Sequence, residues 1–86
     1  MAKYERQFKG DFNSFVANLD KEIINGSVSA SFEDGTHVSC GPVQCAVRVY
    51  ERYSALGSNR VSATVTVFAN GNDIFVSVIT SGGSQA

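Results

Sequence analysis

Two periodicities divide the chain. From Ala2 to Lys9 the side chains alternate: Ala2, Tyr4 and Phe8 share one parity and Lys3, Glu5, Gln7 and Lys9 the other, with Arg6 interrupting the apolar set. A period of two predicts a half-buried strand over residues 2–9. At Gly10 the period changes. Phe12, Phe15, Val16, Leu19 and Ile23 stand at i, i+3, i+4, i+7 and i+11. They form one stripe of an amphipathic helix, expected over residues 11–25. Asp11 is a suitable N-cap, because its carboxylate accepts the unpaired N–H groups of the first turn. Gly26 suits the left-handed conformation that closes many helices.

After the helix the period of two returns and predicts strands over about 27–33, 36–40, 43–54, 60–69 and 73–80, with 81–86 as a tail or turn. Val28, Ala30 and Phe32 share a face, and Glu33-Asp34-Gly35 suits a three-residue hairpin loop with Gly35 left-handed. That register pairs Ala30 with Val38 and Val28 with Cys40. A two-residue Asp34-Gly35 turn would set Phe32 against His37 and mix the faces. Gly41-Pro42 marks the next turn. Val43, Cys45, Val47 and Val49 then take one face, and Gln44, Ala46, Arg48, Tyr50 and Arg52 the other. Val61, Ala63, Val65 and Val67 follow in alternation. Asn70-Gly71 reads as a two-residue hairpin loop, which pairs Val67 with Ile74, Val65 with Val76 and Ala63 with Val78.

The apolar parities of the three long strands suggest one common face, with the helix as its cover. The fold class expected is α+β: an N-terminal strand and one amphipathic helix, then an antiparallel meander of about five strands. The other face keeps Tyr50, Phe68, Phe75 and Ile79 among Arg48, Arg52, Ser62, Thr64, Thr66 and Ser77. Two readings stand: singly exposed apolar residues of the kind most surfaces carry, or a face that is covered or binds.

Composition narrows the class. Eighty-six residues make one domain, and a chain this short has a thin core that self-association would support. Hydrophobic residues are 43% and charged residues 17%, the balance of a folded domain. A net charge of −1 argues against a non-specific nucleic-acid binder. MAKYERQFKGDF contains no apolar core of a signal peptide, and no apolar run approaches a membrane span, so a cytoplasmic location is expected. The two cysteines, Cys40 and Cys45, are too few for a disulfide scaffold and are expected to be reduced there.

Five segments in order, KYERQFKGDF, INGSVSASFEDG, CAVRVYERYS, NRVSATVTV and ITSGGSQA, resemble a family of small bacterial proteins, mainly Gram-positive, whose function is unknown. The resemblance runs from end to end and contains no chemical signature. It implies no activity, cofactor or catalytic residue. It does imply that relatives continue past SGGSQA into an apolar strand and an amphipathic helix, so that this chain is short at its C-terminus. A helix there would be one cover for the second face, and a partner subunit another.

The candidate chemistry is sparse. Arg48, Arg52 and Arg60, with Tyr50 between the first two, form a possible platform for a small anion or nucleotide, since guanidinium forks bind phosphate and carboxylate bidentately. The competing reading is a solvated face with cross-strand pairs. Ser81, Gly82, Gly83 and Ser84 form either an anion-binding nest or a turn; no helix start or GK[ST] sequence follows them. Glu51 shares parity with Val49 and Tyr53, toward the face expected to be covered, and is either a buried carboxylate or a strand-end residue. Cys40 and Cys45 would face each other in one hairpin register, but small buried thiols is the simpler reading. His37 is the one histidine, and no dyad, carboxylate pair or metal set has support from spacing. The function expected is therefore a non-catalytic, homo-oligomeric interaction or binding module without cofactor or metal, acting through Tyr50, Phe68, Phe75 and Ile79. The alternative is a binder of a small anionic ligand such as a nucleotide.

Overall fold

The computed structural model describes residues 1–26, 30–53 and 60–82. Its elements are β1 (Ala2–Lys9), α1 (Phe12–Asn25), β2 (Ala30–Cys40), β3 (Val43–Tyr53), β4 (Arg60–Asn70) and β5 (Asp73–Gly82). The strands form one antiparallel sheet in the order β1-β5-β4-β3-β2. Strands β2 to β5 are a four-stranded meander, one strand fewer than expected, and β1 adds to its far edge against β5. The α+β class follows, with the helix packed on one sheet face.

The helix forms where its stripe predicts. Asp11 stays extended and its carboxylate accepts the Ser14 amide at 2.9 Å, so the chain turns from strand to helix within two residues. That bond, ahead of one from the Ser14 hydroxyl, holds the Asp11 carboxyl below its usual range. Gly26 ends the helix without the left-handed turn expected of it: its φ is −85°, and its amide donates to the Glu22 carbonyl at 2.8 Å. Phe12 is buried, and Phe15, Val16, Leu19 and Ile23 pack on a core of Val65, Val67, Ala69, Ile74 and Val76. These are the β4 and β5 positions that alternation assigns to the covered face.

Three readings of the strands are corrected. The β4–β5 turn is Gly71-Asn72, closed by Asn70 opposite Asp73, so Val67 meets Val76 and Ala69 meets Ile74. Gly71, at φ 64°, takes the first loop position, where a positive φ favours glycine. The shift moves each strand by one residue and leaves the faces intact. Secondly, Glu33-Asp34-Gly35 is no hairpin loop. β2 runs unbroken from Ala30 to Cys40 along β3, with a bulge between Phe32 and Asp34. An eleven-residue β3 offers a full edge of backbone groups, and one extra residue in a bulge pairs nearly all of them, whereas a hairpin would leave half unpaired. The residues proposed for the start of an earlier strand, including Val28, lie outside the described residues.

The third correction inverts β3. Ala46 pairs with Val67 and Tyr50 with Ala63, so Ala46, Arg48 and Tyr50 lie under the helix while Val43, Cys45, Val47 and Val49 take the opposite face. Cys40 faces Val43, and Cys45 faces Val38, so the two cysteines are diagonal neighbours with free thiols rather than a directly opposed pair.

The helix covers only part of its sheet. Fourteen residues rise about 21 Å, against about 37 Å for an eleven-residue strand. Beside β1, a groove of about 360 Å³ stays open between Tyr4, Arg6, Phe8, Phe15 and Val76. Another, of about 400 Å³, lies past the helix end over Tyr50, Val61, Ala63 and Thr80, with Glu22 and Arg52 at its rim.

The bulge sets one sharp steric limit. A Cβ on Gly35 would stand 2.7 Å from the Val47 carbonyl oxygen and 3.3 Å from the Phe32 ring. Gly35→Ala is expected to lower stability by about 1–3 kcal/mol, as overpacking at a site bounded by backbone does. An unchanged urea midpoint would show that β2 yields at the bulge without cost.

Candidate functional site

Arg48 and Tyr50 are held by Asp20. The Arg48 guanidinium donates through Nε to Asp20 Oδ1 at 3.2 Å and through a terminal nitrogen to Oδ2, and the Tyr50 hydroxyl donates to Oδ1. Above this group the Arg48 guanidinium lies 4.3 Å from the Phe32 ring centroid, and Phe32 meets Tyr50 edge-on at 5.8 Å. Gly35 makes the space, since a side chain there would press on both Phe32 and Arg48. Burial pushes the Tyr50 phenol up to about 12, and its hydrogen bond to Asp20 adds to the shift. Asp20 sits four residues after Val16 and three before Ile23, at the margin of the apolar stripe. A carboxylate in that position was the available signal for the clamp, and the stripe alone does not reveal its partners.

The remaining candidates divide between the faces. Arg52 is exposed on the helix side, opposite Ala30 and Val61. Arg60 is on the other side, where it pairs with Glu51 and lies 5.3 Å from the Tyr53 ring centroid. Glu51 therefore faces away from the helix, at the strand end, because β3 is inverted. Ser81 and Gly82 are still in β5, opposite Ser62 and Val61, and the Ser81 and Ser62 hydroxyls are 3.0 Å apart. Gly83 and Ser84 lie outside the described residues. The structure thus brings Arg48, Tyr50 and Arg52 to one face and Arg60 and Ser81 to the opposite one.

Of the four residues assigned to an interaction face, Phe68, Phe75 and Ile79 share the face away from the helix, while Tyr50 is buried beneath the helix. In its place that face gains Val38, Cys45, Val47 and Val49, which register with Phe68 and its neighbours across β2, β3 and β4. Phe68 is 42% exposed, Ile79 41% and Val38 61%, and no described element lies over them. The rims are polar. On β1 the Glu5 carboxylate accepts from Ser77, and Lys9 pairs with Asp73 at 2.6 Å. Among the described residues no three His, Cys, Asp or Glu side chains group as metal ligands. No helix among them is long and apolar enough to cross a membrane.

These features define a two-layer α+β domain in which one helix is clamped to the sheet and the second sheet face, rich in apolar side chains, has no described element over it. The chain belongs to DUF6054, a family of unknown function, whose model matches residues 1–86. No curated protein and no solved structure matches it.

The clamp has an alkaline signature. The Tyr50 phenol is raised from 10.0 to about 12 in the folded chain, so its contribution is complete below the lower value and is lost as pH rises toward the higher one. Stability measured by denaturant titration is expected to fall across that interval, and Tyr50→Phe is expected to remove that part of the slope. Asp20→Ala is expected to cost about 1–2 kcal/mol, the lower part of the range for charge-assisted bonds because Asp20 is partly solvated. Wild-type stability in Asp20→Ala would mean the clamp contributes nothing net.

Proposed function

We propose that this chain is a non-catalytic interaction module that self-associates through the sheet face opposite the helix. The observation that carries this reading is the shared face of Phe68, Phe75 and Ile79 with Val38, Cys45, Val47 and Val49, open among the described residues. Apolar side chains gathered in that number on one face, here with Thr64, Thr66 and Ser77 among them, are costly to leave in water and are a common mark of an interaction surface. Free thiols at Cys40 and Cys45, the first exposed on this face, suit a reducing compartment, and a cytoplasmic, bacterial setting is part of the same proposal.

The anion-binding alternative has less support. Arg48 and the Tyr50 hydroxyl already engage a carboxylate, which an incoming phosphate would have to displace. Arg60 is paired with Glu51 on the other side of the sheet.

Native mass spectrometry and sedimentation equilibrium test the reading. The wild-type chain is expected to be oligomeric and free of added mass. Phe68→Glu is expected to give monomers with an unchanged far-ultraviolet circular dichroism spectrum, because Phe68 is exposed and its loss leaves the core intact. A wild-type monomer at high micromolar concentration would refute self-association, and a stoichiometric extra mass would favour the ligand reading.

A further inference from the structure

The uncovered face has an internal order that selects one mode of pairing. Strand registers align its side chains in rows across the sheet. One row reads Asp34, Val49, Thr64, Ile79 and Lys3, with opposite charges at its two ends and β4 at its centre. Another reads Val38, Cys45, Phe68, Phe75 and Gln7, and between them lies a row centred on Thr66 with Glu5 at its β1 end.

We infer that two copies stack face to face about a two-fold axis parallel to the strands and passing beside β4, an arrangement that rests on the self-association proposed above. This operation sets β4 on β4, β5 on the second copy's β3, and β1 on the second copy's β2. Each row then meets itself reversed. Lys3 stands toward the second copy's Asp34, Ile79 toward its Val49, Phe75 toward its Cys45, and Phe68 toward its Phe68. Sheets stacked in this way lie about 10 Å apart and about 30° from parallel, an offset at the edges that a lysine side chain spans. The two Lys3–Asp34 contacts lie at the rims, and within them Ile79 meets the second copy's Val49 on either side of Thr64, so the charges sit at the edge and the apolar contacts inside it, as in stable interfaces.

The competing two-folds are less favourable. An axis across the strands through Thr66 would stack Glu5 on Glu5 and Asp34 over Val38. An axis normal to the sheet joins edges instead of faces. There the β2 bulge interrupts one edge, and antiparallel pairing of two β1 strands centred on Arg6 sets Arg6 against Arg6 and Lys3 against Lys9. The face also has sufficient extent: about 37 Å of strand by four spacings of about 4.8 Å gives about 700 Å² per copy, close to the about 800 Å² per partner of standard interfaces. The interface is isologous, so assembly closes at the dimer.

A charge-swap cycle tests the axis, read as dimer dissociation constants by sedimentation equilibrium, with thermal melts confirming that each variant folds. Lys3→Glu and Asp34→Lys are each expected to weaken the dimer about tenfold, since both symmetry-related contacts turn repulsive together. The double variant is expected to recover to near the wild-type value. Asp34 also accepts the Gly35 amide at 2.8 Å, so Asp34→Asn, which keeps an acceptor there, separates charge from local structure and is expected to weaken the dimer less than Asp34→Lys. A dimer that Phe68→Glu disrupts but whose charge swaps simply add would overturn this axis and leave face-to-face association standing. A wild-type monomer would overturn both.

Discussion

The arrangement of this molecule depends on where one arginine on β3 finds its counter-charge. β3 carries two candidate inner faces. One is all apolar, Val43, Cys45, Val47 and Val49; the other includes Arg48 and Tyr50. Burying the first would be the better choice if hydrophobic transfer alone decided. Yet the second is inside, because Asp20 on the helix accepts from both Arg48 and the Tyr50 hydroxyl, and Phe32 shields the guanidinium from above. A paired and stacked arginine with a satisfied phenol is compatible with burial where an isolated one is not. The clamp ties helix to sheet and fixes the lateral position of α1 over β3.

The second face follows from the first. With Tyr50 inward, the valines of β3 and Cys45 turn outward and join Phe68, Phe75 and Ile79. Apolar side chains then stand on each of the three inner strands of that face, interspersed with Thr64, Thr66 and Ser77. The edges are charged or bulged and the centre is not, which directs association toward the face and away from the edges. The same inversion separates Arg48 from Arg60 and removes the cluster on which an anion platform would depend.

Much of the fold was legible in the chain. The helix and its cap at Asp11, the strand of residues 2–9, and the faces of β4 and β5 all follow from periodicity, since a period of 3.6 or 2 reports directly which side of an element is apolar. The β4–β5 turn lies one residue beyond the position that Asn70-Gly71 predicts, and because both strands shift together their parity is preserved. The Glu33-Asp34-Gly35 segment forms a bulged strand where its residues predict a loop, for a local reason: turn-forming residues are also the residues that bulges use, and only the length of the neighbouring β3 edge distinguishes the two outcomes.

What the sequence by itself determined is thus the class of the domain, the identity of its elements, and the presence of more apolar surface than one helix can cover. Local periodicity and capping are properties of neighbouring residues, so they are readable along the chain. Which face of β3 lies under the helix was decided only by tertiary structure. That choice depends on Asp20 reaching Arg48 and Tyr50 across 28 and 30 residues of sequence, and on a pairing register between β3 and β4, neither of which has a local signature. Periodicity ranks faces by apolar content, whereas the folded chain ranks them by whether every buried polar group has a partner.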